Sequence, residues 1–388
     1  MSEPQDLLAR GFEQGPIRPP SEAFSLLLRV TRNCPWNKCK FCPVYKTENF
    51  SRREPGEVLA DIDAMAAWQE ELKARSWRLG FGGSFEPPAL QSIYQHEPDN
   101  PFLYALVLFW LGQGRTAFLQ DADSLAVKSE HLVQILKHLR QKFPSLTRVT
   151  SYGRTRTLAR KNLEELLQIR QAGLDRIHIG MESGSDQVLE LMSKGATQAE
   201  QIEAGKKVKQ AGLELSEYYM PGLGGKKFSE EHARETAKAL NQINPDFIRL
   251  RSLAIPPRAP LYEMFRAGQF VPLNDVEMVK EVRLFIEHLE GITSYFVSDH
   301  MLNLLPELEG KFPEEKARLL SLCDRFISLP ESDQLDYIIG RRAGLLETLD
   351  ELARPELKAR AEAVRQRLEV QTIDQAQEII SKLMESFI

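Results

Sequence analysis

The sequence predicts an α/β fold, a partial or full (β/α) TIM-like barrel of parallel strands with a helical C-terminal appendage. Three observations predict it. From about residue 25 to residue 300, short β-rich apolar runs alternate with amphipathic helical patterns, as in a parallel sheet covered by helices. The most distinctive residues stand just past the predicted strand ends, where function collects in such barrels. Beyond residue 305 the strand pattern stops, and the chain becomes charged, helix-rich and broken by Pro330 and Pro355.

Eight strands are expected, over 25–31, 77–82, 116–120, 148–151, 176–180, 214–220, 247–253 and 294–297. Between the first two, Leu59, Ile62, Met65, Ala66 and Leu72 recur at helical spacing over 57–73. A second helix, 161–172, ends at Gly173 as a C-cap would, and Ser229 is a candidate N-cap for a third. The domain reading is an N-terminal extension over 1–24, a barrel core over 25–304 and a helical region over 305–388. No repeat of fixed period and no low-complexity tract interrupts it.

Composition narrows the function. With 42% hydrophobic and 27% charged residues, the chain can build a large core. Its net charge of −5 provides no basic footprint for phosphates, which disfavours a polynucleotide substrate. The first 20 residues lack a basic start followed by an apolar run, so a cytoplasmic location is expected. The apolar run 102–111 is about half the length a bilayer span requires and reads as a buried helix.

Four cysteines are too few for a disulfide framework, and three of them fall within nine positions. Cys34, Cys39 and Cys42 form C-x4-C-x2-C directly after the first predicted strand. Soft thiolates on one short irregular segment suit an iron–sulfur cluster or zinc. Zinc would need a histidine to complete four ligands, and the nearest to the triad is His96. Cys323 lies in an amphipathic helical pattern and reads as a buried structural thiol. Three ligands without a fourth leave a position open, as catalytic metal sites do.

This triad, with Phe41 before its third cysteine, resembles the cluster-binding loop of the radical S-adenosylmethionine (SAM) superfamily. The usual spacing there is C-x3-C-x2-C, and this chain has one extra residue between Cys34 and Cys39. The stretch Ile179-Gly180-Met181-Glu182-Ser183-Gly184-Ser185-Asp186 resembles the branch with oxygen-independent coproporphyrinogen oxidase, Elp3-type proteins and methylthiotransferases. The resemblance implies a [4Fe–4S] cluster on Cys34, Cys39 and Cys42, with SAM as second cofactor. It further implies reductive cleavage of SAM to a 5′-deoxyadenosyl radical, which takes a hydrogen atom from substrate. A reductant such as flavodoxin or ferredoxin is implied as partner.

The same resemblance assigns SAM contacts. Gly82, Gly83 and Ser84, after the predicted strand 77–82, match in position the motif that meets the amino group of SAM. Glu182 and Ser183 can hydrogen-bond ribose hydroxyls or the amino-acid end of SAM, and an N-cap for the next helix is the alternative. Met220 and Gly222 are placed along the adenine, and Ser151 and Arg154 at the strand end that faces SAM in the family.

Asp121, Asp123 and His300 end strands three and eight and are candidates for acid, base or orienting roles toward substrate; helix capping is the alternative for the aspartates. Arg249 and Arg251 share one strand face and would bind an anionic substrate if that face is interior. Without a second cysteine cluster, a methylthiotransferase is disfavoured and a small-molecule substrate expected. An RNA-modifying enzyme, and an iron–sulfur or heme-type carrier or chaperone on the same fold, are the alternatives.

Overall fold

The computed structural model describes residues 4–384. Ten strands appear in chain order: β1 Leu26–Arg29, β2 Thr31–Arg32, β3 Ser51–Arg52, β4 Thr116–Gln120, β5 Arg148–Gly153, β6 Arg176–Glu182, β7 Glu214–Tyr219, β8 Phe247–Leu250, β9 Tyr295–Val297 and β10 Gly310–Lys311. Eight of them form one sheet in the order β1-β4-β5-β6-β7-β8-β9-β10, that of a partial (β/α) barrel. β1–β4, β4–β5, β5–β6, β7–β8 and β8–β9 pair parallel, and β9–β10 pairs antiparallel. β2 and β3 form a separate antiparallel pair.

The chain divides into two compact units. The first holds residues 1–35, 47–179 and 207–215. Here β4 is buried over its last four residues and β5 over 149–151, as strands covered on both faces are, and Leu28, Phe118, Leu119 and Val149 are all fully buried. The helix Pro55–Arg78 packs on Ser129–Lys142, and Ile62, Met65 and Leu72 of the first and Leu132, Ile135 and Leu136 of the second are buried. Each such side chain contributes about 1.5–3 kcal/mol on burial.

The second unit holds residues 36–46, 180–206 and 216–388. Tyr219 of β7 stacks on Phe285, 4.1 Å between ring centroids. The helices Gly225–Ile243 and Asp275–Glu287 pack together, and Asp275–Glu287 in turn packs on Lys316–Ile327. Past residue 305 come Glu331–Arg342, which follows Pro330, then Pro355–Arg367 and Ile373–Met384. Cys323 is fully buried in Lys316–Ile327, and burial pushes its thiol up to about 12, an inert structural sulfur.

Two expectations need correcting. The segment 77–82 is not a strand: Pro55–Arg78 runs through its start, and the chain then turns at Gly80 with φ +85°. The alternation Trp77-Arg78-Leu79 imitates a strand, but an i,i+4 ion pair of Arg75 with Glu71 at 2.9 Å extends the helix, and Trp77 is left exposed. Ser229 is not an N-cap either. The helix starts earlier, at Gly225, whose positive φ makes the turn, and Ser229 bonds Glu281 at 2.6 Å from within the helix.

Candidate functional site

The cysteine loop, residues 33–50, leaves β2 and returns in β3, and the Thr31↔Arg52 and Arg32↔Ser51 register closes its base. In the first unit its entrance is fixed from β4. Asp121, fully buried, accepts the Asn33 backbone N–H at 3.1 Å and an ion pair from Arg29 at 2.6 Å. Asn33 has φ +68° and donates its amide to the Asn49 carbonyl at 2.7 Å.

Its middle, in the second unit, is held by backbone. Trp36 Nε1 donates to the Ser193 carbonyl at 2.7 Å, and Lys40 N to that of Met192 at 2.9 Å. The Lys40 carbonyl accepts from Leu261 N at 2.9 Å, and Lys46 Nζ donates to the Cys39 carbonyl at 2.8 Å. Phe41 packs on the apolar group of Val188, Met192, Met220 and Leu261. Gly195 has φ +72°, and a Cβ there would lie 2.4 Å from the Trp36 ring. Only glycine lets the backbone approach so closely in that conformation.

Cys34 in the first unit and Cys39 and Cys42 in the second are half-buried, none in a disulfide. Among the described residues no three His, Cys, Asp or Glu side chains converge as a site for a metal ion. The fit to a cluster rests on the donor set, three soft sulfur ligands within nine residues of one loop.

The structure separates the other sequence-selected residues by role. Asp121 is occupied in holding the loop entrance. Asp123, fully buried, accepts from Thr157 Oγ1 at 2.5 Å and from Arg154 N at 3.3 Å, and burial raises its carboxyl to about 6. Arg154 stands at the N-cap position of Thr155–Arg160, and Ser151 Oγ donates to the Tyr152 carbonyl at 2.8 Å. Gly82, Gly83 and Ser84 follow a helix and not a strand, which removes the positional argument for them. A Cβ on Gly83 would meet Trp77, and Ser84 Oγ accepts from Glu86 N at 3.0 Å, as in a tight turn.

In the second unit, Glu182 has φ +64° and pairs with Lys194 at 3.3 Å. Its Oε2 is buried without a hydrogen-bond partner, an unmet acceptor at a strand end. Ser183 is taken up by packing: its hydroxyl lies 2.8 Å from His232 Nδ1 and accepts from Ser185 N at 3.0 Å. The Met220 carbonyl lies 3.0 Å from His232 Nε2, so His232 ties the ends of β6 and β7 together. Gly222, φ +85°, donates its N–H to Glu281 at 2.7 Å.

Past β9, His300 is held neutral, its value lowered to about 4 by burial and by the Arg251 charge. One group was missed in the sequence. Glu217 of β7 is fully buried and its carboxyl raised well above the usual range by burial, with the Glu182 charge adding and Lys194 opposing. Its only sequence signal is an acid inside the otherwise uncharged run Leu215-Ser216-Glu217-Tyr218-Tyr219.

Among the described residues no helix is long and apolar enough to cross a membrane. A tRNA uridine(34) acetyltransferase of Methanocaldococcus infernus is 25% identical over 120 residues, 31% of this chain; the match spans only 22% of that protein. Among solved structures, coproporphyrinogen III oxidase from Escherichia coli is 15% identical with a TM-score of 0.41, covering 74% of this chain and 56% of that one. Methylornithine synthase is 13% identical with a TM-score of 0.41, covering 74% of this chain and 72% of that one. The Radical SAM superfamily model matches residues 28–240, more than half of the 388. The cofactors of that superfamily are a [4Fe–4S] cluster and SAM. The chain belongs to the radical SAM superfamily and is an enzyme of that class.

Proposed function

We propose that this enzyme holds its [4Fe–4S] cluster on Cys34, Cys39 and Cys42 and takes a hydrogen atom from a small-molecule substrate. The observation that carries the reading is the cysteine loop: three accessible thiols within nine residues, on a backbone fixed from β4 at its entrance and by Met192, Ser193 and Leu261 in its middle. A cluster held by Cys34, Cys39 and Cys42 would supply the electron for cleavage of SAM to methionine and a 5′-deoxyadenosyl radical, the hydrogen-abstracting species.

The chain's own residues orient and exclude. The unmet Oε2 of Glu182 is an acceptor suited to a ribose hydroxyl, and its pairing with Lys194 holds the carboxylate in place. Met220 offers apolar surface beside Cys42 for a flat base. His300, neutral at physiological pH, can both donate and accept a hydrogen bond toward substrate. A flavodoxin or ferredoxin is the proposed reductant. The net charge of −5 favours a small substrate. The similarity to tRNA uridine(34) acetyltransferases supports a second reading, RNA modification.

The test is anaerobic reconstitution with iron and sulfide, then dithionite and SAM, with chromatography for 5′-deoxyadenosine and methionine. Their formation is expected. A brown protein that leaves SAM intact under every reductant tried overturns the reading. Salt-sensitive binding of tRNA would favour the second one.

A further inference from the structure

In the first unit, the helix Pro101–Leu111 carries no charged residue in any of its eleven positions. A helix apolar all round belongs in a core, because each of its faces gains by leaving water. Only one face of this helix is covered. Leu103, Leu106, Val107 and Phe109 are buried, and the helix packs on Pro55–Arg78, on Pro87–His96 and on β1. The other face is formed by Pro101, Tyr104, Leu108 and Leu111, which recur at intervals of three and four and so share one side. Tyr104 is 45% exposed and Leu111 44%. Two neighbours widen that side. The ring of Tyr94, 37% exposed, lies 5.4 Å from that of Tyr104, and Phe24, 51% exposed, stands where its Cβ would meet a Cβ on Gly112 at 2.5 Å.

Area and charge say what covers this face. At about 200 Å² for a large side chain, the exposed parts add to about 400 Å² of apolar surface, a size that marks a contact site on a soluble protein. Two copies of the face together would remove about 800 Å² of apolar area. At about 60% apolar content that corresponds to an interface of about 1,300 Å², within the range of stable complexes. The chain holds 50 lysines and arginines, yet none falls between residues 79 and 114. An anionic lipid surface or a nucleic acid therefore finds no cation here to bind. The acids of the stretch, Glu86, Glu97 and Asp99, stand outside both helices, and Glu97 is taken by Arg75. A face without charge meets its own copy with no like-charge repulsion, and offers a charged partner nothing to pair with.

We propose that this face is the interface between two copies of the chain, with the two Pro101–Leu111 helices antiparallel about a twofold axis near Leu108. Tyr104 and Leu111 lie on either side of that point, so the axis sets Tyr104 of each copy against Leu111 of the other. None of these residues belongs to the cysteine loop, so the interface stands or falls apart from the cluster assignment.

The experiment measures the mass of the full chain in solution by sedimentation equilibrium over a range of concentrations. A mass of two chains is expected at about 10 µM, since interfaces of this size hold at micromolar concentrations or below. Tyr104→Lys and Leu111→Lys should each weaken the association at least about tenfold, with circular dichroism unchanged because both side chains reach solvent within one copy. If one of them fails to fold, the other carries the test. Tyr104→Lys combined with Leu111→Glu sets opposite charges against each other across the axis and should recover most of that loss, whereas Tyr104→Lys combined with Leu111→Lys should not. One chain mass at every concentration up to about 100 µM overturns the proposal. So does a dimer that both single variants leave intact, which would place the contact elsewhere. No recovery in the charge-paired variant overturns the antiparallel arrangement. A single-chain protein that sediments with phosphatidylcholine vesicles, and no longer does so as Tyr104→Lys, would assign the face to lipid instead.

Discussion

Asp121 Oδ2 accepts the backbone N–H of Asn33 at 3.1 Å, so a carboxylate at the end of β4 positions the residue immediately before Cys34. The same oxygen takes the Arg29 guanidinium at 2.6 Å. The replacement Asp121→Asn keeps the shape and removes the charge. It should cost about 2–3 kcal/mol of stability and lower the iron retained after reconstitution. Denaturant unfolding and iron per chain measure the two effects, and a variant with normal iron content would show that this contact does not set the loop.

Cys34→Ala, Cys39→Ala and Cys42→Ala should each abolish the brown chromophore, whereas Cys323→Ala should retain it. Because Cys323 is fully buried in a helix, its loss should appear as about 1 kcal/mol of destabilisation instead. Cluster loss in Cys323→Ala, with retention in any of the other three, would overturn the ligand assignment.

Asp123 predicts a pH dependence of stability. Its carboxyl is raised from 3.8 to about 6, so the folded state binds the proton more tightly than the unfolded chain. The associated stabilisation is fully present below 3.8 and is lost as pH rises through 6. Between pH 4 and pH 7 the stability of Asp123→Asn relative to wild type should therefore rise by about 2 kcal/mol. Urea titrations of both proteins at the two pH values measure it, and a difference that does not change with pH would mean that Asp123 is ionised throughout.

Gly195→Ala should disturb the cysteine loop through Trp36. Gly212 provides the control, since it has φ +71° and open space where a Cβ would go. Both alanine variants carry the backbone cost of about 1–2 kcal/mol, and only Gly195→Ala adds the clash with the Trp36 ring. The prediction is a larger loss of stability and a changed tryptophan emission in Gly195→Ala alone. Equal effects in the two variants would mean that Trp36 yields without cost.

The parts of the molecule readable in the sequence are those whose signal is local. The cysteine spacing, the apolar runs of β4 and β5 and the helical pattern around Ile62 and Met65 each fit within a window of about 20 residues. The segment 77–82 misled because its strand-like alternation was weighed without the Glu71–Arg75 i,i+4 pair, a local signal that favours continuing the helix. β2, β3 and β10 are two residues long and carry no pattern. The role of Asp121 depends on a contact across 88 residues, which no short window of sequence carries.

The two-residue β2–β3 clasp changes how the loop can be loaded. Closing an 18-residue loop costs about 2.6 kcal/mol of chain entropy plus a constant. With the base zipped by Thr31↔Arg52 and Arg32↔Ser51, that cost is met by folding and not by iron and sulfide. Metal uptake by a loop closed at its base should then bring little heat-capacity change. Stripping the iron should leave the chain folded, ready to be refilled without a refolding lag.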